Sequence, residues 1–445
     1  MTQHRVGRGV PGSTAAPARL LVVLPTGWDQ RQLEACRADW AGHFDIEYGV
    51  PSDADCPADL DASALIRAAA GRPDLAGVFS ASDYPGATLA AAIATTAGWP
   101  GPRPAQVLRA AHKLASRERQ SKLVPEAVPR YCLVDPARPV VAPEVGFPCF
   151  VKPIRGAFGR FARRVDSLDE LAATLDRPEV HEFREEYLGI FNRLWAHYVG
   201  GPVDGRYFIA EQLLPGRQVT VEGFVADGAP EVIGIVDSEL HPGTGSFARF
   251  VYPSTLPPAV QQRMTRIARR CVAGFGLARC FFNIEMTWDE STDRIGLIEI
   301  NPRMCGQFAD LYEKVDGVNS YVLALELASG AQVRRQPRGG AFACAASVPL
   351  RLFEPARIDA VPDTTRLREV QRGRPGTLVW SEVEAGQVLA DFDREDGASA
   401  RYAVINLGAQ SRVELDEAAR ALEAALGFRW TPLAIPSASG NALLA

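Results

Sequence analysis

Apolar and polar positions along this chain follow two rhythms, and their alternation lays out most of the elements. The apolar run from Leu20 to Leu24 gives way to Pro25-Thr26-Gly27, and a second run, Gly77 to Ser80, leads through Asp83 into an alanine-rich stretch from Gly86 to Ala97. Buried strands alternating with helices predict a small parallel α/β unit through residue 105. Within 182–198, Phe183, Tyr187, Ile190, Phe191, Leu194, Trp195 and Tyr198 recur at helical spacing. Core packing accounts for that stripe, with a lid over substrate or a dimer contact as the alternatives. A helix is predicted over 257–273, opened by Ser254 or Thr255 and closed by Gly274. Beyond Gly339-Gly340 the chain turns β-rich, with strands over 342–352, 377–383 and 401–406 and a last helix over 414–426.

Period two is most telling between Phe281 and Gly306. Asn283, Glu285, Leu297, Glu299 and Asn301 point to one face, and Phe282, Ile284, Met286, Ile298 and Ile300 to the other. The polar turn 289–293 lets the strands pair antiparallel, so two carboxylates and a carboxamide gather above an apolar floor. Like charges at that spacing call for a cation between them. Hard oxygen ligands suit Mg²⁺, which keeps several waters and is completed by nucleotide phosphates. Arg303, directly after Asn301-Pro302, adds a cation able to reach a phosphate or acyl oxygen. Glu285, Glu299 and Asn301 therefore read as a magnesium–nucleotide site, weighed against an ordinary solvated hairpin face.

The sequence N-x-E, a hairpin, then E-x-N-P-R-x-x-G resembles the metal-binding signature of the ATP-grasp superfamily. Three further stretches share the resemblance. A buried strand from Phe147 ends in Lys152-Pro153 and is followed by Arg155-Gly156-Ala157-Phe158-Gly159. By resemblance, Lys152 binds nucleotide phosphates and the loop of Gly156 and Gly159 folds over them, small residues admitting backbone N–H groups to phosphate oxygens. Glu211-Gln212-Leu213-Leu214-Pro215-Gly216 resembles the hinge that holds adenine, with Glu211 as its acidic residue and the backbone from Gln212 to Leu214 reading the base. A strand through Val219, Val221 and Phe224 follows, with Asp227-Gly228 as its turn. Gln218 stands where many members carry a ribose-binding glutamate, and its amide can still bond a hydroxyl. The loop tip departs as well, with Arg160 and Phe161 after Gly159 where relatives carry serine and a further glycine. Lys113, with Arg117 one turn later, follows the Gly- and Pro-rich segment 95–102 and is implied as a second phosphate-binding lysine. Arg249, beyond the flexible segment 241–245, is implied as a γ-phosphate cation on a mobile loop.

The architecture implied is α/β: a disordered tail over 1–17, a Rossmann-like N-terminal α/β domain over 18–105, a two-lobed ATP-grasp module and a small β-rich C-terminal domain over 336–435. The first lobe spans 106–215 with the helical insert, and the second 216–335 with the metal site. The cofactors implied are ATP and two Mg²⁺ ions, with Mn²⁺ able to substitute and Glu299 bridging the ions. The function implied is a carboxylate–amine ligase forming an amide through an acyl phosphate, with ADP and phosphate released and Arg303 stabilising the oxyanion. Other outcomes on the same fold are a carboxylase, a thioester-forming ligase or an inactive nucleotide-binding regulator. Lys152→Ala is expected to leave the fold intact, as removal of a surface charge.

Composition narrows the partners. A net charge of −5 with no basic stripe argues against nucleic acid, and no apolar run approaches a membrane span. The expected setting is the cytoplasm, the partners a small carboxylate and an amine, and a homodimer is compatible. The G-x-G-x-x-G and P-loop motifs are both absent, so nucleotide binding must be sited elsewhere. The cysteines, at 36, 56, 132, 149, 271, 280, 305 and 344, form no C-x-x-C pair and read as buried small hydrophobes. Cys305 is expected to face the reaction centre as steric filling.

Overall fold

The computed structural model describes residues 16–50, 60–157, 159–226, 228–333, 339–392 and 396–433. The tail up to residue 15, Cys56, Phe158, Asp227 and the expected boundary segment 334–338 lie outside them. Among the described residues no helix is long and apolar enough to cross a membrane.

The first apolar run forms the strand Ala18–Val23, central in a three-stranded parallel sheet with Phe44–Gly49 on one side and Gly77–Phe79 on the other. Helix Gly27–Ala35 begins with a capping box in which Thr26 and Asp29 each accept the other's backbone N–H. Helix Gly86–Ala97 is buried along most of its length, as its alanine-rich composition requires.

The next sheet has four antiparallel strands in the order Tyr131–Val134, Phe208–Gln212, Cys149–Pro153 and Arg163–Val165. The aromatic insert lies in its long crossover, as helix Pro178–Glu182, a π-helical turn Phe183–Tyr187 and helix Gly189–Tyr198. Its stripe packs two ways. Ile190, Phe191, Leu194 and Trp195 join the core of the N-terminal unit, whereas Phe183 and Leu188 join the core under the four-stranded sheet. Tyr84 Oη ties the two together, donating to the Tyr187 carbonyl at 2.7 Å and accepting from the Phe191 N–H at 3.1 Å.

The third sheet runs through eight antiparallel strands: Arg294–Asn301, Cys280–Asp289, Arg217–Val225, Pro230–Leu240, Phe247–Tyr252, Cys344–Leu352, Ala400–Ala409 and Leu378–Ser381. The strands assigned from sequence to a separate C-terminal domain thus continue the sheet that carries the carboxylate hairpin, because Cys344–Leu352 pairs with both Phe247–Tyr252 and Ala400–Ala409. Helix Pro258–Phe275 covers one face of this sheet over Val219, Val221, Phe282, Ile284, Met286 and Leu297. Its caps differ from the sequence reading: Pro257 precedes it and Gly276, at φ 70°, closes it in the left-handed region. Ser254 instead donates to the buried Asp237 carboxylate at 2.5 Å, and Gly274 sits where any Cβ would collide with Leu123.

The continuous sheet yields a testable consequence. A chain truncated after Val333 leaves Phe250–Tyr252 without its partner strand and removes Ala345 from the core it shares with Tyr252, Phe308 and Tyr312, so it should fail to unfold cooperatively in urea followed by circular dichroism. A truncated chain that unfolds in one steep transition would mean that the grasp lobes are independent of the last three strands.

Candidate active site

The hairpin departs from strict alternation at one residue, and the site depends on it. Glu285 faces Glu299 and Met286 faces Leu297, so Ile298 is left over as a β-bulge. Leu297 therefore turns into the core beside Met286, not onto the carboxylate face as parity predicts. The carbonyl of Ile298 accepts hydrogen bonds from Arg117 Nη2 at 2.6 Å and Lys152 Nζ at 3.2 Å. Both donors come from the first lobe.

The polar face extends beyond the hairpin. Thr220 lies opposite Glu285, which lies opposite Glu299, and the next row is Glu222, Asn283 and Asn301. Gln218 Nε2 donates to Glu285 Oε2 at 3.0 Å, and Asn301 Nδ2 lies 3.4 Å from Glu299 Oε1. The structure thus brings Glu285, Glu299, Asn301 and Gln218 onto one surface. Burial, and then the neighbouring Glu299, push the Glu285 carboxyl up to about 7. Burial also opposes ionisation of Glu299, but Lys113 and Lys152 outweigh it and hold that carboxyl below its ordinary value. Two carboxylates and one carboxamide, one of the acids reluctant to ionise beside the other, form a donor set that fits a divalent cation with hard ligands. Among the described residues no cluster of three or more His, Cys, Asp or Glu side chains has metal-binding geometry, so the remaining ligands would have to come from a bound molecule or water.

Opposite these acids stand the lysines. Lys113 is the first residue of helix Lys113–Leu123; its N–H donates to the Ile154 carbonyl at 3.0 Å, fixing the helix start to the end of the strand that carries Lys152. The Lys113 ammonium lies 3.4 Å from Glu299 Oε2 and 3.4 Å from the Gly156 carbonyl. His112 caps that helix, its Nδ1 accepting the Ala115 N–H, while its ring stacks on Trp195 at 4.1 Å. Burial holds the imidazole down to about 4, so it is neutral and its Nε2 proton goes to the Val203 carbonyl.

Lys152 is not a surface charge. It is 4% exposed and pairs with Glu211 Oε2 at 2.8 Å, while Arg117, 1% exposed, holds Glu211 at 2.6 and 3.1 Å. The two cations overcome burial and depress the Glu211 carboxyl to about 2. Truncating Lys152 would therefore disturb a buried network, contrary to the sequence expectation. Beside Glu211, the Gln212 N–H is taken by the Arg130 carbonyl, and Leu214 packs where a side chain on Gly296 would stand. Hinge and hairpin are thus in contact.

Arg303 is partly buried with its Nε 3.5 Å from Asp83 Oδ1, and Asp83 Oδ2 pairs with Arg155 Nη2 at 3.1 Å. Asp83, from the N-terminal unit, therefore joins the glycine loop to the residue after the hairpin. Sequence reasoning named Asp83 only as a landmark. Arg249 is placed differently from its expected role: it lies on the strand Phe247–Tyr252 and is drawn into ion pairs with Glu239, at 2.6 Å, and Asp416 of the last helix. Its guanidinium binds carboxylates of its own sheet and of the C-terminal segment, and it is not part of the Lys113–Lys152–Glu299 group.

Glu222 was missed altogether. Fully buried, it accepts the Cys305 N–H at 3.0 Å, with Tyr312 Oη at 3.4 Å and Asn283 Nδ2 at 3.5 Å, and burial pushes its carboxyl up to about 7. The parity of Gln218, Thr220 and Glu222 carried the signal. Burial raises the Cys305 thiol to about 12, which leaves it unreactive at neutral pH and agrees with a filling role.

The sequence matches the ATP-grasp domain family over residues 145–310, the stretch that contains Lys152, the hinge and the carboxylate hairpin. No curated protein matches it. Among solved structures, the fold is similar to that of an L-amino acid ligase from Bacillus licheniformis, with a TM-score of 0.70 at 16% identity over 94% of this chain and 100% of that one. It is also similar to a carboxyaminoimidazole ribonucleotide synthase from Aspergillus clavatus complexed with ATP, with a TM-score of 0.66 at 14% identity over 92% and 98%. The biotin carboxylase domain of a Hydrogenobacter thermophilus 2-oxoglutarate carboxylase, solved with MgADP and bicarbonate, gives a TM-score of 0.61 at 14% identity over 93% and 90%. The chain thus carries an ATP-grasp domain over residues 145–310 and shares its fold, along nearly its whole length, with these solved structures.

Proposed function

We propose that the protein is an ATP-dependent carboxylate–amine ligase. The observation that carries the reading is the opposition of Glu285, Glu299 and Asn301 to Lys113 and Lys152 where the two lobes meet, with Arg303 partly buried beside Asp83. A polyphosphate chain satisfies the lysines, and divalent cations on its oxygens satisfy the acids. The two groups then no longer have to neutralise each other. The likeness to an L-amino acid ligase along its full length supports this reaction over others on the fold.

Lys113 and Lys152 would hold the phosphates of ATP, with the loop of Gly156 and Gly159 above them and the hinge from Glu211 through Gln212 to Leu214 against the base. Glu285, Glu299 and Asn301 would hold two Mg²⁺ ions, for which Mn²⁺ can substitute; when bound, such ions neutralise charge on the phosphates and align them for in-line transfer. The γ-phosphoryl group passes from ATP to an oxygen of the substrate carboxylate, releasing ADP and leaving an acyl phosphate. An amine attacks the acyl carbon, the amide forms, inorganic phosphate departs and the amine proton passes to solvent. Arg303 would stabilise the oxyanion that develops in that second step. A carboxylating reaction is the alternative, because two of the similar structures are carboxylases or their relatives, and it differs in requiring bicarbonate.

Incubation with ATP, Mg²⁺ and pairs of amino acids should release ADP and phosphate in equal amounts only when both a carboxylate and an amine are supplied, with the conjugate seen by mass spectrometry. AMP with pyrophosphate, or turnover driven by bicarbonate alone, would refute the reading. Glu299→Gln removes a charge from the ligand set and should lower kcat on the order of 10²-fold or more, with excess Mg²⁺ restoring little. Its stability without nucleotide should hold or fall slightly, because Lys113 loses a partner. A variant within a few-fold of wild type would remove Glu299 from the ligand set.

A further inference from the structure

Two features of the chain remain outside this account: the departure of the glycine loop at Arg160-Phe161, and the aromatic insert. The structure puts them together. Phe161 is buried at φ 56°, a left-handed backbone that a bulky side chain seldom adopts, and its ring meets Phe183 of the insert edge-on with centroids 5.2 Å apart. Phe183 in turn stacks on Tyr187 at 5.1 Å. The Arg160 guanidinium carbon lies over all three rings, 5.4 Å from Phe161, 5.0 Å from Phe183 and 5.3 Å from Tyr187, within the range in which a cation is attracted to an aromatic face. Arg160 Nε is buried with no hydrogen-bond acceptor in reach, and no ion pair to a carboxylate is formed among the described residues. The Nε edge of a partly exposed guanidinium has thus left water without gaining an acceptor, and the rings hold it there.

We infer that Arg160 is a positioning residue: the aromatic insert is a dock for the glycine loop, and Arg160 on Phe161, Phe183 and Tyr187 holds that loop over the nucleotide site before nucleotide arrives. The inference rests on the ligase reading for what the loop covers. A loop with small residues at this tip would have to be ordered when nucleotide binds, which costs conformational entropy at that moment. Here the ordering is done in advance, and the insert explains why a bulky tip is tolerated. Gly159, at φ 74°, completes the placement by passing close to Asp396, where a Cβ would come within 3.8 Å.

The test is hydrogen exchange of the amides from Gly159 to Ala162 in nucleotide-free protein, together with ATP binding by calorimetry. Arg160→Ala should speed exchange at these amides by about tenfold, as the loss of a desolvated cation–aromatic contact implies. It should weaken ATP binding by a similar factor, and raise KM for ATP far more than it lowers kcat. Arg160→Lys should recover part of the effect, and Tyr187→Leu should reproduce it. Combined with Arg160→Ala, Tyr187→Leu should add little, since both act on one contact. Unchanged exchange in Arg160→Ala, or additive effects in the double variant, would overturn the anchor. Faster exchange in a protein whose wild type binds no ATP would uphold the anchor and refute the ligase reading instead.

Discussion

One buried charge network joins the two lobes, and the site depends on it. Glu211 lies between Arg117 and Lys152, and both cations also reach the carbonyl of Ile298, the bulge residue of the opposite lobe. Burying three charges is costly. A buried group of this kind persists only when every member is satisfied, and here the Glu211 oxygens, the Arg117 fork and the bulge carbonyl are each matched. Arg117 spends its last nitrogen on Gln120 at 2.5 Å. Helix Lys113–Leu123, the first-lobe sheet and the hairpin are therefore held in one register.

That register sets the electrostatics of the cleft. Lys113 starts the helix that Arg117 anchors one turn later, so its ammonium comes to Glu299 and holds that carboxyl below its ordinary value, while burial and Glu299 push the neighbouring Glu285 up to about 7. The bulge that presents the Ile298 carbonyl also sends Leu297 into the core, which leaves Glu285 and Glu299 directly opposed. At the far side Asp83 spans Arg155 and Arg303, bringing the N-terminal unit into the same arrangement. Loop, hairpin and hinge are thus organised by opposite charges at short range in a partly dehydrated space, where such pairs are stronger than on a surface.

Much of this was legible in the chain because period-two alternation survives burial on one face. The hairpin, the polar row at Glu285, Glu299 and Asn301, and the lysine at the strand end could be read from spacing and composition. The bulge could not, since a single extra residue leaves no mark in an apolar run such as Leu297-Ile298. Glu211 reads as the acidic residue of the hinge and Arg117 only as a cation one turn after Lys113; tertiary pairing alone shows that they neutralise each other. Arg249 was misread because a flexible Gly- and Pro-rich approach precedes it, whereas the strand beyond it pairs regularly and delivers it to Glu239 and Asp416. The C-terminal strands were found, but sheet order is a long-range property, and nothing local distinguishes a new sheet from the extension of an old one. Glu222 was overlooked although its parity matched Gln218 and Thr220.

The claim on which the rest stands is that Arg117 and Glu211 act as a pair across this joint. A double-mutant cycle of Arg117→Met and Glu211→Gln, read by urea unfolding at neutral pH, measures it directly. Each single change should destabilise by about 3–5 kcal/mol, because it strands a buried charge, and the double variant should be more stable than the sum predicts by about 2 kcal/mol or more. Additivity within about 0.5 kcal/mol would contradict the account, since it would mean that the two side chains contribute independently and do not join the lobes.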